Sequence, residues 1–325
     1  MTNTRPDPDT VRAMLEIACR APSIHNSQPW RWQLRGSELR LYADPRQAVP
    51  AADPYGRQMT LSLGAVLDHF LVAAAAHGWK TEVSRMPNPN RPDHVATVEF
   101  AGHQSELRAF HEREDALRQR YTDRLPMRAP EGHTVHEVAD RARRDSDAHL
   151  CLLRSADNQT LSRASRASLA ERRYDLAYQS EIDWWTTRYD ESEGIPPASL
   201  LTSSEAERVS LARDFPPVAD GQPRRADIPT DEASVFVLAS YTGNRIALLR
   251  CGEALSSLLI EATLAGLSTC TVSHVMESPD GKAAISRLIE AAAEPQLLVR
   301  AGVREERRPP VATPRRPVDD VLDII

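Results

Sequence analysis

The chain contains 325 residues, of which 41% are hydrophobic, and carries a formal net charge of −6. This length favours two structural units over a single core, and the acidic balance argues against a broad surface for nucleic acid or a membrane. No hydrophobic run reaches about 18 residues, and the polar start MTNTRPDPDT lacks the pattern of a signal peptide. We therefore expect a cytoplasmic protein.

The first hundred residues alternate helical and strand patterns. Hydrophobic residues at helical spacing follow Asp9 and Thr10, either of which can cap a helix, and a proline ends that helix. The segment WRWQLRGSELRLYAD alternates on both sides of RGS, which predicts a β-hairpin with Trp30 and Trp32 in the core. We then predict a long Leu- and Ala-rich helix over 57–77 and two strands around the breaker run PNPNRPD.

The rest of the chain carries similar patterns with one weakly patterned stretch. The predicted strands are HLCLLR, SVFVLAS and PQLLVRAGV, and the predicted helices lie over 107–120, 135–144, 157–186, 245–265 and 282–292. Residues 191–231 are rich in breaker residues, with a short helix predicted over 205–212. A stretch of this length inside a compact protein predicts a lid or binding loop, and we refer to it as the insertion.

The cysteines and a histidine pair give no sign of a metal site. None of the four cysteines forms a C-x-x-C pair, and we predict buried free thiols. His133-x-x-His136 lacks metal-ligand spacing and stands among polar residues, so we predict that it lies on the surface.

Two helical segments resemble each other across the chain. LGAVLDHFLVAAAAHGW (63–79) aligns with CGEALSSLLIEATLAGL (251–267) at a constant offset of 188 positions, and glycines match near both ends. A chance match of two Ala- and Leu-rich helices is the alternative. An internal repeat predicts two halves, which we place at 1–104 and 105–325, and a site between them.

The segment APSIHNSQPW resembles the A-P-S-x-x-N-x-Q-P-W loop of the FMN-dependent nitroreductase superfamily. RYTDR and TPRRPVDDVL add a resemblance to its Acg-like subgroup of fused, tandem actinobacterial proteins. The resemblance implies an α+β nitroreductase-like fold with mixed and antiparallel sheets. In the superfamily, FMN binds at a homodimer interface, so the two halves here imply a pseudo-dimer, one FMN per chain and a monomer slightly favoured over a homodimer.

The resemblance also implies which residues bind FMN. Two arginines and a threonine from the R-x-T-x-R segment, with arginines of the tail, would hold the phosphate. The early loop would contact the flavin ring, with Ser23 and Asn26 at its polar edge, and a residue after the second repeat helix would lie near the reactive edge. The implied residues are Pro22, Ser23, Ile24, Asn26, Arg120, Thr122, Arg124, Ser273, Arg315 and Arg316.

Several roles stay open at this point. His25 is either satisfied within its loop or in contact with flavin, and Gln28 can instead bond local backbone. Thr271 and His274 stand where the superfamily often has an acidic residue and glycine. The flavin itself carries out the redox chemistry, so we name no catalytic side chain.

Three functions are consistent with the resemblance. The first is an FMN oxidoreductase that passes electrons from NAD(P)H to nitroaromatic or quinone-type acceptors. The second is a non-enzymatic protein that stores or sequesters FMN beneath the insertion, because a covered flavin cannot take hydride from nicotinamide. The third is a nitroreductase-like protein that has lost its flavin.

Overall fold

The computed structural model describes residues 5–103, 108–144, 148–187, 192–219, 222–289, 292–304 and 313–325. The fold is α+β, with two sheets and helices packed on and between them. The helices are α1 (Pro8–Ala18), α2 (Arg57–Ala76), α3 (Arg108–Gln119), α4 (Gly132–Arg144), α5 (Asn158–Arg172), α6 (Leu176–Thr187), α7 (Ser203–Ala206), α8 (Arg245–Leu264), α9 (Pro279–Ser286) and α10 (Val318–Val321). The strands are β1 (Trp30–Arg35), β2 (Glu38–Ala43), β3 (Trp79–Arg85), β4 (His94–His103), β5 (His149–Leu152), β6 (Ser234–Ser240), β7 (Ser268–Val272), β8 (Glu294–Gly302) and β9 (Leu322–Ile324).

The two sheets divide the chain into an early and a late part, with one exception. The first sheet has the order β3-β4-β2-β1-β9 and the second has the order β5-β6-β8-β7. All pairs are antiparallel except β1 with β9, where Trp32 lies opposite Leu322. The tail therefore returns from the end of the chain to complete the first sheet.

The predicted β-hairpin and its core are confirmed. Trp30 and Trp32 are fully buried, and the Trp32 ring lies 5.4 Å from that of Phe70 in α2. All four cysteines are free, and they are buried except for the half-buried Cys151. His133 and His136 are exposed on α4, as predicted.

Local capping explains where the predicted helix boundaries were wrong. The first helix begins earlier than predicted because the Asp7 side chain accepts a hydrogen bond from the Thr10 amide at 2.9 Å. The predicted helix over 157–186 is two helices, because Asp175 caps the amide of Tyr178 at 3.1 Å and starts α6. In the same way, Ser278 starts α9 before the predicted position 282, and Thr202 starts α7 before 205.

Helices α2 and α8, which carry the aligned segments, cross in close contact at matched glycines. A Cβ on Gly64 would overlap the carbonyl oxygen of Leu249, and a Cβ on Gly252 would overlap that of Leu61. Both pairings are related by the same offset of 188 positions as the sequence repeat. This reciprocity supports our proposal of two equivalent halves, although the boundary at 104/105 lies outside the described residues.

Replacement of Gly64 by alanine should test this crossing. We expect the free energy of unfolding to fall by about 3 kcal/mol, at the upper end of overpacking costs, because the rigid backbone of the facing helix must move. Gly132→Ala is the matched control, since a Cβ there meets nothing within 4 Å. Urea denaturation measures both variants, and equal midpoints for the two would contradict the contact.

By length and composition alone, helix α2 is hydrophobic enough to span a membrane. The sequence has no uninterrupted hydrophobic run of about 18 residues and so did not predict this. In the fold, however, most of its residues are buried against the first sheet and α8. Its hydrophobicity is therefore explained by its place in the core.

Candidate functional site

A cavity of about 1070 Å³ lies where the early loop, the segment after α3, the insertion, the end of β7 and the tail meet. Both proposed halves contribute to its walls. Nine of the ten predicted site residues line it: Pro22, Ser23, Ile24, Asn26, Arg120, Thr122, Arg124, Ser273 and Arg315. Its volume is at the upper end of the range for small-molecule sites, about 300–1,000 Å³.

Three arginines converge at one end of the cavity. The Nη2 atoms of Arg120 and Arg315 donate to the carbonyl oxygen of Arg20, at 2.6 and 3.0 Å. The guanidinium of Arg20 donates to carbonyl oxygens at the end of α3. Arg20 follows α1, Arg120 follows α3 and Arg315 comes from the tail, so three distant parts of the chain meet here. We call these three residues the arginine cluster.

The arginine cluster carries positive charge that the described residues do not neutralise. Within the described ranges, no carboxylate forms an ion pair with any of the three, and the Nε atoms of Arg120 and Arg315 have no hydrogen-bond partner. Burial and the neighbouring guanidinium groups lower the pKa of Arg120 to about 9 and that of Arg315 to about 10. Such a cluster matches a dianion such as a phosphate, which accepts several charge-assisted hydrogen bonds.

The early loop holds an unusual backbone conformation. His25, Asn26 and Gln28 have positive φ values of 49°, 57° and 51°, a region that residues with side chains rarely adopt. The hydroxyl of Ser23 accepts a hydrogen bond from the Gln28 amide at 3.0 Å, and that of Ser62 in α2 accepts one from Ile24 at 3.3 Å. Strain of this kind persists only where surrounding contacts enforce it, and it is common at functional sites.

Two amide side chains of this loop bind the insertion. Asn26 Nδ2 donates to the carbonyl oxygens of Gly194 at 2.9 Å and Pro314 at 3.0 Å. Gln28 Nε2 donates to Ser192 at 2.7 Å and to the local carbonyl of Asn26 at 3.3 Å. Both N–H groups of Asn26 are thus engaged, so only its oxygen is left for the ligand-edge role that the sequence assigned to it.

A buried ion pair joins the insertion to the other end of the cavity. Arg213 Nη2 lies 2.5 Å from Glu277 Oε1, and the carboxylate also accepts from Tyr178 and Gln58 at 3.2 and 3.0 Å. Arg213 donates to the Ser273 hydroxyl at 3.1 Å. Burial alone would raise the pKa of Glu277, but the charge and hydrogen bonds of Arg213, together with the hydrogen bond from Gln58, lower it to about 2. Ser273 therefore faces the cavity as a partner of Arg213.

Arg124 is directed to this second end, away from the arginine cluster. Its guanidinium lies 5.5 Å from the ring centroid of Phe215, and it donates to the Ser199 carbonyl at 3.4 Å. Its charged neighbours are Asp123 and Arg213. The predicted cage of Arg120 and Arg124 is therefore divided between the two ends, and Arg20 and Arg315 accompany Arg120 instead.

Arg316 stands apart from the other predicted residues, since it does not line the cavity. Its amide donates to Gln28 Oε1 at 2.9 Å, and its guanidinium lies within 3.7 Å of Asp44 and 3.4 Å of Glu193. This residue holds the tail against the loop. Of the two tail arginines expected at the anion site, Arg315 joins the arginine cluster and Arg316 does not.

His25 and His274 are both buried and uncharged at neutral pH. Neither ring nitrogen of His25 has a partner among the described residues, and the ring meets Phe215 edge to face at 6.0 Å between centroids. His274 Nε2 lies 2.9 Å from the Ser165 hydroxyl. Burial and the charge of Arg213 lower the pKa of each to about 3. Both line the cavity, as does Thr271.

The insertion forms part of the cavity wall and is fastened at several points. Residues from Ile195 to Pro217 contribute to the cavity wall. Two ion pairs fasten its later part to the rest of the fold, Arg225 with Asp123 at 2.9 Å and Asp231 with Arg300 at 2.7 Å. A third, Arg224 with Glu205 at 2.6 Å, joins two residues within the insertion. Residues of the insertion thus form part of the cavity wall, and its role as a lid or binding loop stays a prediction.

Sequence reasoning did not identify Arg20, Arg213 or Phe215 as site residues. Arg20 begins the motif-bearing segment RAPSIHNSQPW, so its position was a usable signal. Arg213 and Phe215 lie in a stretch with no periodic pattern, and nothing in the sequence connects them with α2 or β7. Only the fold brings them to the site.

No family model matches the chain, but several proteins are similar to it over their whole length. A Mycobacterium tuberculosis protein, acg, whose name provisionally describes an NAD(P)H nitroreductase, is 41% identical over 100% of this chain and 98% of its own. A second protein of that organism with the same provisional description, Rv3131, is 32% identical over 98% of this chain and 92% of its own. Among solved structures, a nitroreductase with bound FMN from Desulfitobacterium hafniense has a TM-score of 0.40 at 14% identity, covering 62% of this chain and 94% of its own. A TM-score of 0.40 is too low to support a family assignment, which therefore depends on the two sequence relatives.

Proposed function

The chain belongs to the NAD(P)H nitroreductase family, and from this membership we propose that it binds one FMN in the cavity and transfers electrons from NAD(P)H to nitroaromatic or quinone-type acceptors. The observation that carries the proposal is the arginine cluster, a buried positive site that opens into a cavity large enough for a flavin. FMN, when bound, takes up a hydride from a nicotinamide and passes on the electrons.

The residues present fit FMN in their donor chemistry. Arg20, Arg120 and Arg315 would bind the phosphate, whose two negative charges would offset the buried positive charge. The opposite end offers the guanidinium of Arg124 to a polar ring edge. Asn26 lies nearer the arginine cluster, because its amide nitrogen and Arg315 donate to the same Pro314 carbonyl. Pro22 and Ile24, which also line the cavity, would supply apolar contact to the flavin ring.

The chain's own residues bind, orient and shield the cofactor. His25 and His274 remain neutral over the physiological pH range and would not exchange protons with the ring. Glu277 remains ionised and paired with Arg213, so it acts as a fastening for the insertion and not as an acid. The protein's contribution is therefore position, electrostatics and exclusion of water.

Storage of FMN is a second candidate function, and the fastened insertion favours it. Hydride transfer needs the nicotinamide at about 3–3.5 Å from the flavin, and residues of the insertion occupy one wall of the cavity. Three buried ion pairs, those of Arg213, Arg225 and Arg300, hold this wall against the rest of the fold. If the wall does not open, the protein would keep FMN without using it.

A visible spectrum of the purified protein tests both functions. We expect a flavin band with one FMN per folded chain. Bleaching within seconds on anaerobic addition of NADPH would support the oxidoreductase, whereas bleaching by dithionite alone would support storage. A colourless protein that gains no flavin band with added FMN would overturn both, and two FMN per chain would overturn the single site between the halves.

A further inference from the structure

We propose that Phe215 decides whether a second planar molecule can reach the bound cofactor, because its ring occupies the part of the cavity that a planar electron acceptor would need. This inference rests on the proposed binding of FMN. It holds for either candidate function, since it concerns access to the flavin and not the source of electrons.

The Phe215 ring lies directly against the loop predicted to contact the flavin. It meets the His25 ring edge to face at 6.0 Å, and it packs with Ile24 on the apolar cluster formed by Tyr178, Ile182 and neighbouring residues. The same side chain lines the cavity. An aromatic ring at this place takes up the flat apolar surface beside the loop.

Two guanidinium groups flank the ring. The guanidinium carbons of Arg124 and Arg213 lie 5.5 and 6.0 Å from its centroid, within the range of cation–π attraction. If the ring were absent, these groups would face the vacated space. The Nη donors of Arg213 are engaged by Glu277, Tyr178 and Ser273. The donors of Arg124, whose hydrogen bond to the Ser199 carbonyl is 3.4 Å long, suit the oxygens of a nitro group or a quinone, so the space would accept a planar compound bearing such oxygens.

The backbone presets where the ring lies. Arg213, two residues before Phe215, is held by its ion pair with Glu277. The amide of Phe215 donates to the Arg213 carbonyl at 2.9 Å. Two prolines come next in the chain and restrict the local backbone. The ring is therefore held in place by local structure and does not depend on a ligand for its position.

The test measures access to the flavin in Phe215→Ala and in wild type, both loaded with FMN. Acrylamide, a neutral quencher, reports collisions with the bound flavin through its fluorescence. In a second measurement, the cofactor is pre-reduced with dithionite and mixed anaerobically with p-benzoquinone, which takes two electrons from the flavin and two protons from flavin and solvent to become hydroquinone. We expect both rate constants to rise about tenfold or more, because closed sites commonly open in only about 0.1–10% of molecules.

Two further variants separate the role of the ring from general loosening of the insertion. Val209→Ala removes buried volume from the insertion at a side chain that does not line the cavity, so it should leave both rate constants near those of wild type. Phe215→Trp keeps the position filled and should leave access equal or lower. If the alanine variant does not fold, Phe215→Leu, with a smaller and non-planar side chain, should show a smaller rise.

The outcomes distinguish this inference from the function on which it rests. FMN is first measured in each protein after gel filtration. Wild type without FMN would overturn the proposed function and this inference together. Retained FMN with unchanged rate constants in Phe215→Ala and Phe215→Leu, or an equal rise in Val209→Ala, would overturn the inference alone.

Discussion

An Arg120→Met variant is expected to lose FMN while its ligand-free form remains as stable as wild type or becomes more stable. Charge-assisted hydrogen bonds contribute about 1.5–3 kcal/mol each, so the loss of one phosphate-binding arginine should raise the dissociation constant by about 10- to 150-fold. Methionine keeps the hydrophobic volume of the stem and removes the charge. Equilibrium binding by flavin fluorescence and thermal unfolding without ligand measure the two effects.

Arg120→Met should weaken FMN binding but not the ligand-free fold, and the reason for this difference is the lowered pKa of Arg120. Burial and the other two arginines of the cluster lower this pKa to about 9 from its ordinary value of 12.5, so the charged side chain destabilises the ligand-free fold below about pH 9. This penalty should diminish as the pH rises through about 9, and the stability difference between wild type and variant should narrow. A ligand that neutralises the cluster reverses the effect, and inorganic phosphate alone should raise the melting temperature of wild type but not of Arg120→Met.

The control is Arg141→Ala on the exposed face of α4, which should change neither binding nor the response to phosphate. Arg120→Lys keeps a charge but loses the forked donor geometry, so its affinity should lie between those of wild type and Arg120→Met. If Arg120→Met binds FMN as tightly as wild type, the phosphate does not bind at the arginine cluster.

The parts of the fold that local pattern specifies were predicted from sequence. The hairpin of β1 and β2 and the long helices α2 and α8 are explained by hydrophobic spacing over many residues, and each lies within a residue or two of its predicted bounds. Strand β9 was missed because it is three residues long, and its pairing with β1 depends on contacts nearly the whole chain away.

The candidate site was likewise predicted only in part from the sequence. The motif residues were predicted as cavity residues because the family resemblance assigns them, and nine of them line the cavity. Their detailed roles depend on partners distant in sequence: both donors of Asn26 bind carbonyls at Gly194 and Pro314. No local pattern contains this information. Arg20 was not predicted as a site residue for the same reason: its role depends on Arg120 and Arg315, which donate to its carbonyl oxygen from distant parts of the chain.

Glu277→Gln is expected to lower the free energy of unfolding by about 3–5 kcal/mol, because it leaves the guanidinium of Arg213 buried without a compensating charge. The Glu277 side chain is 2% exposed and that of Arg213 is 9% exposed, so solvent screens this pair little. Glu294→Gln is the control, since its pair with Lys282 is nearer the surface and should contribute at most about 1 kcal/mol. Chemical denaturation at neutral pH compares the two.

The pH dependence of this difference has a defined sign. The pKa of Glu277 in the folded protein is lowered to about 2 from the ordinary value of 4.5. The ionised pair therefore stabilises the fold above about pH 4.5, and this stabilisation is lost as the pH falls from about 4.5 towards 2. The stability difference between wild type and Glu277→Gln should shrink over that interval. A constant difference would show that the carboxylate is not ionised in the pair.

The double variant Arg213→Met/Glu277→Gln separates stability from closure of the cavity. Replacement of both charges removes the uncompensated cation, so most of the lost stability should return, as it does when buried ion pairs are exchanged for hydrophobic residues. The fastening of the insertion near Phe215 would still be missing, and acrylamide quenching of bound FMN should therefore exceed that of wild type. Restored stability together with wild-type quenching would mean that the remaining ion pairs of the insertion with the rest of the fold, those of Arg225 and Arg300, are sufficient to keep the insertion closed.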